Sequence, residues 1–359
     1  MSTPDTRPNM QQIADAAGVS KSAVSLALRN DPRISEGTRQ RVQRIAEELG
    51  YRRNPIVDSL MTQLRAGRQP NFQSNLCLLN CSSERDLGYN HTFRRLREGV
   101  LRRAGQLGYG VEEFWLHEPG MRPQRLRQIL ETRGIRGILL VAALSADIID
   151  PAYSDFWEPF ACAVLGVTHL DNNLNCATND QYLTARRAVQ QVRQLGYRRP
   201  ALFIPEEDDR LLDDKFSAGH SSGIRTLPAK DQIAPVFIDI ENLDHAVGEV
   251  ARLKPDVIIT NKTELHTALK TAGYAIPKEL GLVHLDWHDG ITHLAGMRQN
   301  NRVVGSAGVD LVVAQLQRNE YGPQQYAKVV QIESAWVEGP SAKSVRRAKK
   351  KTARKKAKA

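Results

Sequence analysis

A short polar stretch at residues 20–30, SKSAVSLALRN, carries side chains that donate hydrogen bonds well. Ser20 is a favourable N-cap, so a helix is predicted to start directly after it. The polar side of that helix consists of Lys21, Ser22, Ser25 and Arg29. Ammonium, guanidinium and hydroxyl groups are the donors that contact nucleobase edges and phosphate oxygens. The stretch is therefore a candidate for reading DNA.

The residues around this stretch predict the elements that would hold it in place. Met10–Ala17 has a short apolar stripe, Gly18 permits a tight turn, and Val19 points to the core. Ser35 caps a third helix over 36–49, whose apolar stripe is Val42, Ile45, Ala46 and Leu49. Helix, glycine-containing turn and capped second helix form a helix-turn-helix, whose second helix fits the DNA major groove. The alternative is a generic three-helix bundle.

From about residue 75 the chain alternates apolar runs with amphipathic segments. The predicted buried strands are LCLLN (76–80), GILLVAAL (137–144), CAVLGV (162–167), ALFIP (201–205), DVIIT (256–260) and GLVHL (281–285). The predicted helices are 92–107, 122–133, 181–195, 243–253, 262–272 and 305–318. Repeated βα units favour doubly wound parallel sheets, and this length exceeds one such sheet. We therefore expect an α/β core of two lobes with a cleft, behind an all-α head.

Charge is unevenly distributed along the 359 residues, whose net charge is +10. Residues 341–359 hold ten Lys or Arg and no acid, and residues 1–68 carry +4, so the middle carries −4. A tail of this composition is expected to be disordered and suits a polyanion such as nucleic acid; the alternative is a tail that only aids solubility. No apolar run approaches the length of a membrane span, and the N-terminus lacks a signal-peptide pattern. With four sparse cysteines, we expect reduced thiols and a cytoplasmic protein; the alternative is a redox or metal pair at Cys77 and Cys81.

The segments MQQIADAAGVSKSAVSLALRN and RISEGTRQRVQRIAEELGYRRNP resemble the lactose/galactose repressor (LacI/GalR) family of bacterial transcription regulators. The similarity is close through residue 64 and fainter to about residue 340. RQNNRVVGSAGVDLV (298–312) and VVQIESAWVEGP (329–340) also look like the family. The resemblance implies a helix-turn-helix head over 1–54, a hinge helix over 55–68, a linker over 69–74, a periplasmic-binding-protein-like core over 75–341 that binds effector and dimerises, and a tail over 342–359.

The resemblance also implies which residues touch DNA. Base contacts fall on Lys21, Ser22 and Leu26, although many relatives have Arg at the last position. Phosphate contacts fall on Ser25, Asn30, Arg33, Thr38, Tyr51 and Asn54. In the hinge, Leu60 takes the place of a leucine that wedges between base pairs in the minor groove, and Val57 stands where the family often has Ala.

An effector site is expected where strands of the two lobes end at the crevice. The candidates are Phe93, Asn261, Asp286 and Trp287. Many sugar-sensing relatives have Asn-Asp where this chain has Asn261-Lys262. Many also carry an Arg just before an Ala-Gly pair, where this chain has Lys215-Phe216-Ser217 before Ala218-Gly219. The resemblance implies a sugar-like effector, whereas these departures favour an anionic effector or none. His284 and His288, with the neighbouring acids, form a weak metal candidate, and we expect neither metal nor cofactor.

The leading hypothesis is a homodimeric, sequence-specific transcription regulator, a repressor by family tendency, which binds operator DNA under the control of a small molecule. No motif typical of catalysis is present, so an enzyme is not expected. A solute-binding protein of transport shares the core architecture but needs a secretion signal and no DNA head. A DNA-compacting protein driven by the basic tail is the third hypothesis.

Overall fold

The computed structural model describes residues 10–28, 30–49, 74–88, 90–141, 153–166 and 173–345. Its N-terminal unit contains three helices: α1 Met10–Ala17, α2 Lys21–Ala27 and α3 Glu36–Glu48. Ile13, Val24 and Val42, one from each helix, are fully buried and form its core. Leu49 was predicted to continue the buried stripe of α3, but it is 41% exposed because it follows the last helical residue.

The first lobe of the core, the N-lobe, is built on a six-stranded parallel sheet. Its strands are β1 Asn75–Asn80, β2 Gly110–Trp115, β3 Gly137–Val141, β4 Ala161–Leu165, β5 Asn175–Asn179 and β11 Val329–Ile332. Their order in the sheet is β11-β5-β4-β3-β1-β2. The helices that belong to this lobe are α4 His91–Gln106, α5 Pro123–Thr132 and α11 Asn301–Arg318.

The second lobe, the C-lobe, has a sheet of the same size. Its strands are β6 Pro200–Ile204, β7 Val236–Phe237, β8 Val257–Thr260, β9 Gly281–His284, β10 Ala295–Arg298 and β12 Ala335–Val337. Their order is β12-β10-β9-β8-β6-β7, and β12 pairs antiparallel with β10. The helices are α6 Gln181–Leu195, α7 Glu206–Arg210, α8 Lys215–Ile224, α9 Leu243–Leu253 and α10 Glu264–Thr271. The parallel arrangement predicted for both sheets therefore has one exception, at an edge.

The chain passes between the lobes three times, after β5, after β10 and after β11. One buried side chain joins all three crossings: Asn179 Nδ2 lies 3.2 Å from the carbonyl oxygen of Gln299, 2.8 Å from that of Ile332 and 3.0 Å from Ser334 Oγ. Ser334 Oγ is also 2.6 Å from Thr184 Oγ1 in α6. A buried polar network that is satisfied in this way fixes the geometry of the hinge.

In the N-lobe, α4 and α11 touch backbone to backbone. A Cβ atom on Gly99 would lie 2.0 Å from the carbonyl oxygen of Arg302, and one on Gly305 would lie 2.2 Å from that of Leu96. Only glycine permits this reciprocal approach. The contact fixes the direction of α4, whose first turn reaches the cleft.

Each of the six predicted strands and six predicted helices overlaps an observed element. Strands such as β2 and β5 were not predicted, because GVEEFW and NCATN carry polar residues where a buried strand is expected to be apolar. At the C-terminus the fold extends beyond the predicted boundary at residue 341. Ala342 is buried, and Val345 donates a backbone hydrogen bond to Leu195, so the folded core reaches at least Val345.

Candidate nucleic-acid interface and inter-lobe cleft

The turn before α2 is built as the sequence predicts. Ser20 Oγ accepts a hydrogen bond from the backbone N–H of Ala23 at 3.1 Å, which caps the helix. Gly18 adopts a φ of +63°, and the N–H of Val19 bonds to the Ala14 carbonyl at 3.0 Å. The cap and the turn together set the angle between α1 and α2.

The first turn of α2 faces solvent. Lys21 and Ser22 are exposed, and Leu26 is half-buried one turn later. Val24 and Ala27, on the opposite side, are fully buried. The predicted base-contacting residues therefore lie on the free side of a helix that the core holds by its other side. The Ser25 side chain and Arg29 lie outside what the structure describes.

Three of the predicted phosphate-contacting residues already have partners within the head. Arg33 pairs with Asp31 at 2.8 Å, and the pairing raises the pKa of the guanidinium. Asn30 Oδ1 accepts from Gln43 Nε2 at 2.7 Å, and Thr38 Oγ1 accepts from Ser35 Oγ at 2.9 Å. Such exposed contacts contribute little to stability. Tyr51, Asn54, Val57 and Leu60 lie outside the described residues.

A carboxylate of the C-lobe bridges the cleft to the N-lobe. Asp286, in the loop after β9 of the C-lobe, accepts a hydrogen bond at Oδ2 from His91 Nε2 at 2.8 Å and from Thr92 Oγ1 at 3.2 Å. Both donors stand in the first turn of α4 in the N-lobe. Asn90 caps that turn by accepting from the N–H of Phe93. A carboxylate at a helix N-terminus is favoured by the helix dipole as well.

Two further histidines surround this contact. His288 stacks on His91, with ring centroids 3.9 Å apart and an interplanar angle of 23°. His284 Nδ1 accepts from the N–H of Asp286, and His288 Nδ1 accepts from the N–H of Gly290, each at 3.1 Å. Neither ring therefore carries a proton on Nδ1. Burial lowers the pKa of His284 to about 4, and burial and the nearby His91 lower the pKa of His288.

A second polar cluster of the C-lobe consists of Asp208, Asn261 and Lys262, and the charges within it compensate each other. Asp208 Oδ2 contacts Asn261 Nδ2 at 2.5 Å and the Lys262 ammonium at 2.8 Å. The side chains of Lys262 and Asp208 are 22% and 28% exposed, so the pair is partly shielded from water. The buried Oδ1 of Asn261 has no hydrogen-bond partner in the described part of the chain. It is an acceptor that a ligand hydroxyl would satisfy.

The other two predicted effector contacts lie elsewhere. Trp287 is 7% exposed, packs in the C-lobe core and donates its indole N–H to the Leu294 carbonyl at 2.9 Å. The guanidinium carbon of Arg298 lies 4.5 Å from the centroid of the Trp287 ring. Phe93 packs against the N-lobe core and lines a groove of about 740 Å³ beside β2.

Sequence reasoning missed His91, Thr92 and Asp208 as cleft residues. Asn90-His91-Thr92-Phe93 drew notice only for its aromatic ring. The useful signal is that His91 and Thr92 are donors in the first turn of a helix that follows a strand end, where a carboxylate of the other lobe can reach them. The partner of His91 and Thr92, Asp286, is almost 200 residues away, so no local sequence pattern predicts the pairing.

The cysteines and histidines suggest no metal or redox site in the described regions. Cys77, Cys81, Cys162 and Cys176 are buried free thiols. Burial raises their pKa values, that of Cys176 to about 11, so little thiolate forms near neutral pH. Among the described residues, no group of three or more His, Cys, Asp or Glu side chains has a geometry that would hold a metal ion. No helix in those ranges is long and apolar enough to cross a membrane.

Residues 9–54 match the family model described as bacterial regulatory proteins, lacI family. Among curated proteins, the HTH-type transcriptional regulator CelR of Thermobifida fusca is 22% identical over 204 residues, which are 56% of this chain and 57% of the relative. The aligned part thus spans just over half of that relative.

Solved structures share the fold. A complex of the transcriptional regulator CelR with cellobiose superposes with a TM-score of 0.56 at 16% identity, over 93% of this chain and 100% of that one. The lac repressor dimer bound to operator and the anti-inducer ONPF gives 0.55 at 17% identity, over 93% and 99%. A regulatory protein of the LacI family from Chloroflexus aggregans gives 0.58 at 18% identity, over 74% and 98%.

Proposed function

We propose that the chain, whose residues 9–54 match the lacI family model of bacterial regulatory proteins, is a sequence-specific DNA-binding transcriptional regulator. The proposal makes it a repressor whose affinity for operator DNA is set by a small molecule bound between the lobes. The observation that carries it is the exposed first turn of α2, with Lys21 and Ser22 free on a capped helix whose other side is buried.

Base reading falls to the first turn of α2. Lys21 donates to a guanine edge, Ser22 adapts to either partner, and the half-buried Leu26 contacts a thymine methyl. Asn30, Arg33 and Thr38 exchange their weak contacts within the head for phosphate oxygens and so fix the register on the duplex.

A neutral, polyhydroxylated effector suits the cleft better than an anionic one. Lys262, which together with the missing arginine favoured an anionic effector or none at the level of sequence, is already paired with Asp208. The unpartnered Asn261 Oδ1 and the carboxylate of Asp286 are acceptors, and sugar hydroxyls donate to such groups. The binding of cellobiose by CelR agrees with this class of ligand.

Homodimerisation is part of the proposal, because one short recognition helix binds a half-site weakly and two-fold symmetry doubles the contacts. The groove beside β2 is the surface we propose for the contact between protomers. It combines apolar side chains, such as Trp115 and Met121, with both Arg94 and Glu118. A symmetry-related copy would meet both charge signs there, as an isologous interface requires.

Lys21→Ala tests the proposal directly. Its expected effect is a loss of discrimination between the preferred operator and random DNA by about tenfold, since one good base contact is worth roughly 1–3 kcal/mol. Lys270→Ala, which removes an exposed lysine from α10 of the C-lobe, is the matched control and should bind as the wild type does. Equal losses of Lys21→Ala on both DNAs, measured by fluorescence anisotropy, would refute base reading by α2.

A further inference from the structure

We propose that the hydrogen bonds from His91 and Thr92 to the Asp286 carboxylate form a latch that holds the two lobes together. A ligand that binds to Asp286 would displace His91 and Thr92 and open this latch. The proposal rests on the proposed function, because it concerns how the cleft of that regulator is controlled. Three side chains form the latch: His91 and Thr92 from α4, and Asp286 from the loop after β9.

The latch contacts join the lobes at a site separate from the chain crossings. Asp286 Oδ2 receives both donors, at 2.8 and 3.2 Å, from residues almost 200 positions away. The side chains of His91 and Asp286 are 27% and 22% exposed. Hydrogen bonds to a carboxylate are stronger than neutral ones, and partial burial limits their competition with water.

Neighbouring residues support the same contact from both sides. His288 stacks on the His91 ring and so holds its plane in the orientation that points Nε2 at Asp286. Arg95, one turn into α4, forms an ion pair with Asp289 of the same C-lobe loop. Arg298 also reaches Asp289, at 3.6 Å. The latch is thus the centre of a contact between one helix start and one loop.

The latch has a direct consequence for regulation. A ligand that uses Asp286 as an acceptor must first break its bonds to His91 and Thr92. Its apparent affinity then equals its intrinsic affinity multiplied by the fraction of molecules in which the carboxylate is free. Conversely, binding separates α4 from the loop after β9, so occupation of the carboxylate is coupled to the arrangement of the lobes.

Inter-lobe distances in the full-length chain test the latch. Arg102→Cys on α4 and Lys278→Cys in the C-lobe, both exposed positions, carry spin labels, while the four native thiols are buried. Mixing with an excess of unlabelled chain ensures that a labelled protomer pairs with an unlabelled one, so only distances within one chain are measured. Without ligand, the parent chain should give one narrow distance distribution. His91→Ala and Thr92→Val together should broaden it or add a longer component.

A matched control and a second readout keep the test decisive. His245→Ala removes an exposed histidine from α9 and should leave the distribution unchanged. Melting curves establish that each variant is folded, and Asp286→Asn, which keeps the shape of the side chain, repeats the test from the other lobe. A distribution that is the same in the parent chain, the double variant and Asp286→Asn would overturn the latch.

The outcome is separable from that of the proposed function. If the latch variants separate the lobes while no variant binds DNA selectively, the latch stands and the regulator proposal fails. If the parent chain binds operator selectively but the distances do not respond, the latch alone fails. Both proposals together require that the latch variants change operator affinity as well as distance.

Discussion

At the scale of single residues, partners decide what each candidate side chain can do. Lys21 and Ser22 remain free on the surface, whereas Lys262 is paired with Asp208 and Trp287 is committed to the C-lobe core. Sequence identified the first pair because helix caps and turns are local signals. It did not identify Asp208 as the partner of Lys262, because that residue comes from another βα unit, α7.

Protonation of His288 should weaken the latch at acidic pH. Burial and His91 lower the pKa of His288 below its ordinary value of about 6.5, with Arg94 acting in the same direction and Asp286 and Asp289 opposing. The latched form therefore binds fewer protons than an open form in which His288 is hydrated. Its stability is complete above about pH 6.5 and falls as the pH drops below that value.

The same spin-labelled chain measures this dependence. Between pH 7.5 and 5.5 the longer inter-lobe component should grow, and His288→Gln should reduce that growth. A distribution that does not change with pH, or that narrows in acid, would contradict the assignment of His288 as the group that weakens the latch.

At the scale of elements, apolar periodicity predicted strands and helices that the fold contains, but not their contacts. The stripe of α4 is visible in HTFRRLREGVLRRAGQ, whereas the role of Gly99 is not, since it depends on α11 some 200 residues later. Polar strands such as β5 escaped prediction for a related reason. Asn175 and Asn179 are buried because their amides bond to the backbones of other segments.

Gly99→Ala should destabilise the N-lobe, because its methyl group would lie 2.0 Å from the Arg302 carbonyl oxygen. Overpacking of this kind costs about 1–3 kcal/mol. Gly105→Ala is a control in the same helix, where a Cβ atom meets nothing within 4 Å. It should be neutral or stabilise the chain by up to about 1 kcal/mol. Urea unfolding measures both, and equal free energies of unfolding would refute the role of the glycine contact.

At the scale of the whole molecule, the sequence predicted a helical head, a two-lobed α/β core and a basic C-terminal segment. The first two agree with the structure, because head and lobes each have their own patterned core. The contacts between lobes were beyond prediction. Asn179 ties three crossings and Asp286 receives donors from α4, and both arrangements exist only once the chain has folded.

The central claim is that the head, and not the basic segment, selects the DNA sequence. Residues 346–359 hold nine Lys or Arg, so a chain that ends at Val345 loses most of the nonspecific attraction. The most direct test is selection from a random-sequence duplex pool with the full-length chain and with that truncated chain. Both should enrich the same two-fold symmetric motif, the truncated chain with lower affinity and a shallower salt dependence. Enrichment by neither chain, or its loss on truncation, would contradict the account.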